Sequence, residues 1–412
     1  MSSDLLEVHT ALERILSHFA PLMGEVVSLA QADGRVLMAE VRAPISVPPF
    51  DNSSMDGFAL QAADISAASP QTPVTLQVIA DIPAGSAPQC VLQPGQAARI
   101  MTGAVLPQGA DAVVPVEMTN RGHKPSGNDP LPPQVQVFQP VERGAYVRRA
   151  GEDVRAGDVV LSPRRLRPQD IGFLAMLGIA QVMVRRTPRL ALFSTGDELL
   201  PPGEALAPGK IYDANTYSLQ HLIRRFGADP FLVARLPDRL DAVEEALQSA
   251  VSAGADLIVS TAGVSMGVYD FMRVALERQG TLHLWRVNMR PGKPLTFGHY
   301  LDVPFLGLPG NPVSAFVSAQ VFLRPIVARL LGLEHASHMQ TVTLGEAVHS
   351  DGRQSYLRVT LQPEAPLPVA HLAGHQGSGN LYGMTQSDAL LIVPAGVTEL
   401  PAGAPAQALL LD

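Results

Sequence analysis

The stretch LALFSTGDELLPPGE, Leu190–Glu204, decides how the chain is read. Leu190–Phe193 suits a buried strand, but it gives way to Ser194-Thr195-Gly196 and then to two carboxylates, Asp197 and Glu198. Two later segments end strands in a similar way, DLIVSTAGVSMGVYDF with Gly263 and PFLGLPGNPVSAF with Gly310. In an open α/β sheet, ligands bind just beyond the carboxyl ends of the strands. Glycine lets the backbone approach a ligand there, and hydroxyls, N–H groups and the next helix N-terminus hold an anion. A carboxylate suits a bare phosphate poorly but suits a cation that bridges to one. Asp197, Glu198 and Asp270 therefore point to a Mg²⁺-assisted phosphate site. On pattern alone a second reading stays open, in which the acids favour a helix dipole by a few tenths to about 1 kcal/mol.

Working outward, strands are expected at Leu190–Phe193, Phe231–Ala234, Leu257–Ser260, Leu282–Val287 and Phe305–Leu308. Leu219, Leu222, Ile223 and Phe226 form a helical stripe stopped by Gly227, and Leu240, Val243, Leu247 and Val251 form another stopped by Gly254. Strands alternating with helices predict a mostly parallel sheet covered on both faces. Before it, Leu5–Phe19 reads as a helix ended by Pro21 and Gly24, with a second short helix around Ala30–Leu37. From Ala43 to about Arg149 short apolar runs alternate with Pro, Gly and Gln, a β-rich insert. After about His338 period-two patterns return, a small β tail.

The 412 residues exceed a single core, since cores stop growing near ~250–300 residues. A net charge of −8 leaves no nucleic-acid footprint. Cys90 is the only cysteine, which rules out an intrachain disulfide and argues against a thiolate metal cluster. No signal-peptide pattern or membrane-spanning apolar run stands out, so a cytoplasmic protein is expected. The histidines form no HExxH motif and no zinc site is expected. GxGxxG and GxxxxGK[ST] are absent, excluding the usual dinucleotide and P-loop readings. In WRVNMRPGKPLTFG, Arg286, Arg290 and Lys293 sit on a loop stiffened by Pro291 and Pro294. Fixed cations on a rigid loop bind an oxyanion with less loss of side-chain freedom; a solvated basic loop is the alternative. GLPGNPVSAF, with Pro309 and Pro312, DNSSMDGFAL and RIMTGAVLPQGADAVVP each read alone as turns.

Together these strings resemble the molybdopterin molybdenumtransferase family, which includes bacterial MoeA and the C-terminal domain of gephyrin. PFDNSSMDGFAL, RIMTGAVLPQGADAVVPVE, RRAGEDV, LALFSTGDEL, IYDANTYSL, STAGVSMGVYDF, MRPGKPLTFG, GLPGNPVSAF and GHQGSGNL occur in family order over nearly the whole chain. The resemblance implies a multidomain α/β protein: a molybdopterin-binding α/β domain (1–26 plus 188–337), a small α+β linking domain (27–46 plus 147–187), a β-rich insert (47–146) and a C-terminal β-barrel-like domain (338–412). It implies an elongated homodimer that binds adenylylated molybdopterin, inserts molybdate at the dithiolene sulfurs and releases AMP with Mg²⁺ assistance. The site would lie where the α/β domain of one subunit meets the insert of the other. The upstream molybdopterin adenylyltransferase is a candidate partner, and neither nucleic acid nor membrane is.

Carried over by motif, Asp56, Thr102, Asp153, Glu198, Asp238 and Asp270 are the implied catalytic set, with Glu198 and Asp270 holding the cation. Arg286, Arg290, Lys293, Pro309, Pro312, Ser314, Arg358 and Ser378 are implied to hold molybdate and the pterin phosphate. Two features depart from the usual pattern. Arginine replaces a common lysine at 286 and 290, and Ala262-Gly263 replaces Gly-Gly, a methyl that narrows the approach to the ligand. Three competing readings are a peptide-binding scaffold, a nucleotide-processing enzyme built on a similar domain, and a paralogue that inserts tungstate or is inactive. The acids and the basic loop argue against a pure scaffold.

Overall fold

The computed structural model describes residues 5–122, 130–262, 271–334 and 338–411. Asp270 and the rest of its strand-end segment, Gly263–Asp270, lie outside the described residues.

The α/β part begins with helix α1, Val8–Leu16. It resumes at β1, Arg189–Thr195, followed by α2 (Asn215–Phe226), β2 (Asp229–Leu236), α3 (Leu240–Ser252) and β3 (Leu257–Thr261). Then come α4 (Phe271–Gln279), β4 (Gly280–Arg286), β5 (Pro294–Tyr300), β6 (Val303–Leu308), α5 (Pro312–Ser318) and α6 (Arg324–Leu330). The sheet order is β2-β1-β3-β6-β5-β4. The first four strands are parallel, and β5 and β4 add antiparallel at one edge. All five strands expected from sequence are present; β5 was not foreseen.

Side-chain alternation explains the layers. Leu190, Leu192, Leu257, Val259, Leu306 and Leu308 face α1, α2, α5 and α6. Ala191, Phe193, Ile258 and Phe305 face α3 and α4. Strands apolar on both faces need helices on both sides. The apolar stretch Pro312–Leu330 is long enough to cross a membrane, but 78% of its window is buried in the protein, so it is a core helix. It carries a π segment at Ala319–Leu323, just before Pro325, whose ring nitrogen has no proton for the helical ladder.

The insert forms a five-stranded sheet from Ala112–Pro115, Gly57–Leu60, Gln96–Ile100, Val74–Ile82 and Gln134–Val137. Its two faces are packed by separate apolar clusters. In the tail, Gln354–Gln362, Val369–Leu372, Met339–Leu344, Pro405–Leu410 and Ala389–Val393 pair in a ring that closes on itself, a five-stranded barrel.

The helix expected around Ala30–Leu37 is not formed. Only a 3₁₀ turn, Leu29–Gln31, is present, and Val36 and Leu37 bridge to Arg165 and Val184. Leu37 N–H donates to Arg164 O and Leu166 N–H to Arg35 O, both at 2.8 Å, so tertiary pairing takes the backbone groups a helix would have used.

Nearby, the Asp170 side chain caps the start of the helix Pro168–Met176 by accepting from the Arg167 N–H. Its carboxylate accepts from Arg164 Nη2 at 2.5 Å, Arg167 N–H at 3.0 Å and Arg167 Nε at 3.1 Å. Hydrogen bonding from the Arg167 side chain holds the Asp170 pKa below the ordinary carboxylate value. The folded-state pKa is the lower one, so its stabilisation is complete above the unfolded pKa and is lost as pH falls through the folded one. Asp170→Asn is expected to destabilise the protein by about 1–3 kcal/mol at pH 7, with the gap to the parent closing in acid. Thermal melts across pH check this; a gap that does not change with pH rules out the carboxylate's charge as its source.

Candidate functional site

From β1 the chain passes through α2 to β2 on one side, then through α3 to β3 on the other. The crevice between the carboxyl ends of β1 and β3 is the topological switch point, where open α/β sheets bind ligands. A pocket of about 490 Å³ lies there, reaching from Thr195 and Glu198 to Thr261, Pro309 and Ser314. A larger cavity of about 590 Å³ sits by the opposite end of α2, near Arg225 and Phe226. It lies away from the strand ends, and the chemistry favours the smaller pocket.

Glu198 forms the acidic wall of the pocket with its side chain exposed. The chain turns into it through Gly196 at φ +143°, and a Cβ there would lie 2.5 Å from a Glu198 carboxylate oxygen. Glycine is needed there for the backbone angle; the contact itself falls on the far end of an exposed, flexible side chain that can swing aside. Asp197 and Asp238 brace the β1 and β2 ends: each backbone N–H donates to the other's carboxylate at 3.2 Å. The expected residue Asp238 therefore stands beside the Asp197-Glu198 turn. Lys210 Nζ donates to Asp197 O at 2.6 Å.

The floor comes from two residues that sequence reading did not single out, Asp213 and Asn215. The Asp213 carboxylate is 5% exposed and accepts from Ser194 Oγ at 2.9 Å, Thr216 N–H at 3.0 Å and Thr216 Oγ1 at 2.6 Å. It therefore pins the start of α2 to the end of β1. Asn215 donates from Nδ2 to Gly310 O at 2.7 Å, tying α2 to the β6 end. Its Oδ1 is buried and has no hydrogen-bond partner among the described residues. The available signal was the acid–Ala–Asn–Thr run opening a helix in IYDANTYSL. Ala262, at φ +65°, places its Cβ 3.3 Å from where a Gly310 Cβ would sit, so the departure from Gly-Gly does line the pocket with a methyl.

On the other side the β4–β5 turn carries the basic residues. Arg286 ends β4, Lys293 is exposed, and Pro294 immediately after it lines the pocket. Arg290 pairs with Asp351 of the tail at 3.6 Å. Hydrogen bonds from Arg353, with Arg290 adding its charge, keep Asp351 below the usual carboxylate range. Gly292 (φ +108°) packs so closely that a Cβ would lie 2.7 Å from Ser318 Oγ of α5. Ser314 and Pro309 are buried in the pocket wall, with Pro312 beside them.

From the tail, Ser378 accepts from Asn311 Nδ2 at 3.1 Å and its carbonyl accepts from Val313 N–H at 3.1 Å, docking its loop on the β6–α5 turn. Arg358 is 1% exposed. Its guanidinium donates to Gly377 O at 3.2 Å and His375 O at 2.5 Å, so the side chain supports the Ser378 loop. In the insert, Thr102 donates from N–H and Oγ1 to Asp56 Oδ1 at 2.8 and 2.7 Å. Asp153 pairs with Arg148 Nη2 at 2.7 Å and is exposed. The pocket thus gathers Glu198, Pro309, Pro312 and Ser314, with Asp238 and Lys293 at its edges, while Asp56–Thr102 and Asp153 stand on the insert and its connection.

Three stretches of the chain match described protein regions: residues 6–178 the MoeA N-terminal region (domain I and II), 191–329 a probable molybdopterin-binding domain, and 341–411 the MoeA C-terminal region (domain IV). The chain is 38% identical over 388 residues to a molybdopterin molybdenumtransferase of a Nostoc species, covering 92% of this chain and 87% of the relative. It is 39% identical to molybdopterin molybdenumtransferase 2 of Mycobacterium tuberculosis, with 92% of each covered. The crystal structure of a molybdopterin biosynthesis MoeA protein from Pyrococcus horikoshii superposes with a TM-score of 0.82 at 30% identity, covering 99% of both chains.

Gly196→Ala is expected to cost about 1–3 kcal/mol from backbone strain. Adding Glu198→Ala in that background is expected to recover little of the loss, because the exposed carboxylate can swing aside. Thermal unfolding of the single and double variants measures the coupling; a large recovery would mean that the carboxylate is held in place.

Proposed function

The chain belongs to the molybdopterin molybdenumtransferase family, enzymes of molybdenum cofactor biosynthesis, and we propose that it inserts molybdate into adenylylated molybdopterin with release of AMP. One observation carries this reading: a single crevice with a free carboxylate on one wall and a cationic turn at the edge of the other. The acidic wall suits a pyrophosphate held through a cation, and the basic turn suits a tetrahedral dianion.

Thr195, Glu198 and Thr261 offer oxygen donors only, the donor class Mg²⁺ takes. Glu198, with Asp270, would hold that ion, which when bound neutralises charge developing on the phosphate oxygens. Asp213 keeps α2 and β1 in register, so its part is positioning. Asn215 ties the start of α2 to the end of β6, so its part is positioning as well. Arg286, Arg290, Lys293, Ser314 and Ser378 hold molybdate beside the dithiolene, replacing a bimolecular encounter with a positioned one. Arg358 fixes the loop that presents Ser378. The enzyme acts in the cytoplasm as a homodimer. The Asp56–Thr102 pair and Asp153 of one subunit complete the partner's crevice, and substrate comes from the upstream adenylyltransferase.

The test is AMP release from adenylylated molybdopterin in Mg²⁺ buffer, with and without molybdate. Release is expected to depend on molybdate, with metal appearing on the pterin; binding without release would overturn the reading. A tungstate series separates the two anions. Glu198→Gln is expected to slow release about a hundredfold or more. Lys293→Ala is expected to raise the molybdate required by about tenfold or more, the loss of one charge-assisted hydrogen bond.

The composite site has its own check. Asp56→Asn and Glu198→Gln subunits, each inactive alone, are refolded together at equal amounts. Half the dimers are then mixed and each has one intact site, so about a quarter of the parent activity returns. No recovery would place both residues in a site built within one chain.

A further inference from the structure

Three histidines far apart in sequence meet outside the cleft. His18 lies two residues past the end of α1, His283 lies on β4 and His299 on β5. One ligand nitrogen from each lies within 4.8 Å of the others. His283 Nε2 is 3.2 Å from His299 Nδ1, and Thr281 Oγ1 is 3.2 Å from His283 Nε2. The His283–His299 contact is a hydrogen bond, and its 3.2 Å spacing is close to the about 3.3–3.4 Å between two imidazole nitrogens each about 2.0–2.1 Å from one tetrahedral metal. His18 and His283 are exposed and His299 is half-buried, which leaves an open side for solvent.

The strands place these rings deliberately. Thr281 pairs with His299, and the β4–β5 register slips between Leu282 and Leu284, so His283 is the extra residue of a bulge. Bulges re-aim a side chain; here the rings of His283 and His299 come to a centroid distance of 5.3 Å. Phe297 supports the cluster from beneath, with its ring 5.1 Å from His18 and 5.8 Å from His299. Burial, reinforced by the neighbouring rings, holds the His18 and His299 pKa values below the ordinary imidazole value; Asp302 pulls His299 the other way.

We propose that His18, His283 and His299 form a site for a borderline divalent transition metal of the Zn²⁺ class, with water in the fourth position and the Thr281 hydroxyl beside it. Imidazole sets of this kind select Zn²⁺ over the hard Mg²⁺ ion. The site is independent of the cleft chemistry, yet β4 and β5 are the stem of the hairpin whose turn carries Arg290 and Lys293. A bound ion clips that stem to the end of α1 and stiffens the cationic turn.

The experiment uses the full-length, tag-free protein stripped with chelator and titrated calorimetrically with Zn²⁺ alone. One ion per chain is expected. His283→Ala and His299→Ala should each weaken binding at least about tenfold, and Glu198→Gln should leave it intact. Zn²⁺ should raise the thermal transition of the parent, but not of the His283→Ala/His299→Ala double variant, and should slow amide exchange over residues 287–293. His283 is exposed and His299 half-buried, and melts of the apo variants check that each alanine variant folds. Absence of saturable binding overturns the proposal, as does one-ion binding that survives in the double variant, which would put the metal in the cleft.

Discussion

Strand β1 has parallel neighbours on both edges and helices on both faces, so its backbone groups are satisfied only by the ladder. The rest of the structure depends on where that ladder stops. Past Thr195 the chain must leave the sheet: Asp238 takes the Asp197 N–H, the Gly196 carbonyl takes the Leu199 N–H, and Asp213 ties the Ser194 hydroxyl to the start of α2. The crevice exists because β1 sends its two successors to opposite sides, and the hydrogen bonds at its rim keep α2 from closing the gap.

Much of this was legible in sequence. Period-two and helical-period patterns located the parallel strands and most of their helices, because burial on both faces leaves a strong local signature. The acids after β1 and the cations after β4 were legible too, since charges at strand ends have few structural uses. The Ala30–Leu37 helix failed because its backbone partners lie at residues 164–166 and 184, contacts no local window contains. The strand Pro294–Tyr300 escaped notice because its opening proline and its basic approach read as loop.

Other features depend on contacts remote in sequence. Asp213 and Asn215 looked like an ordinary helix start until the β1 and β6 ends appeared beside them. The histidine cluster is the extreme case: residues 18, 283 and 299 have no spacing motif, and the bulge that aligns them is a property of register. Arg358 changes character as well. Its motif position suggests an anion ligand, whereas its buried guanidinium serves two carbonyls and so acts on the pocket through the Ser378 loop.

That burial has a consequence for the range of conditions over which the loop keeps its shape. An amine buried as deeply as Arg358 would shed its proton as its pKa fell toward neutrality, and the carbonyls it holds would come loose. Burial also lowers the Arg358 pKa, but a guanidinium starts so high that it stays charged throughout the physiological range. Ser378 is therefore held by a latch that acidity does not turn, and the rim beside the β6–α5 turn keeps one geometry across that range.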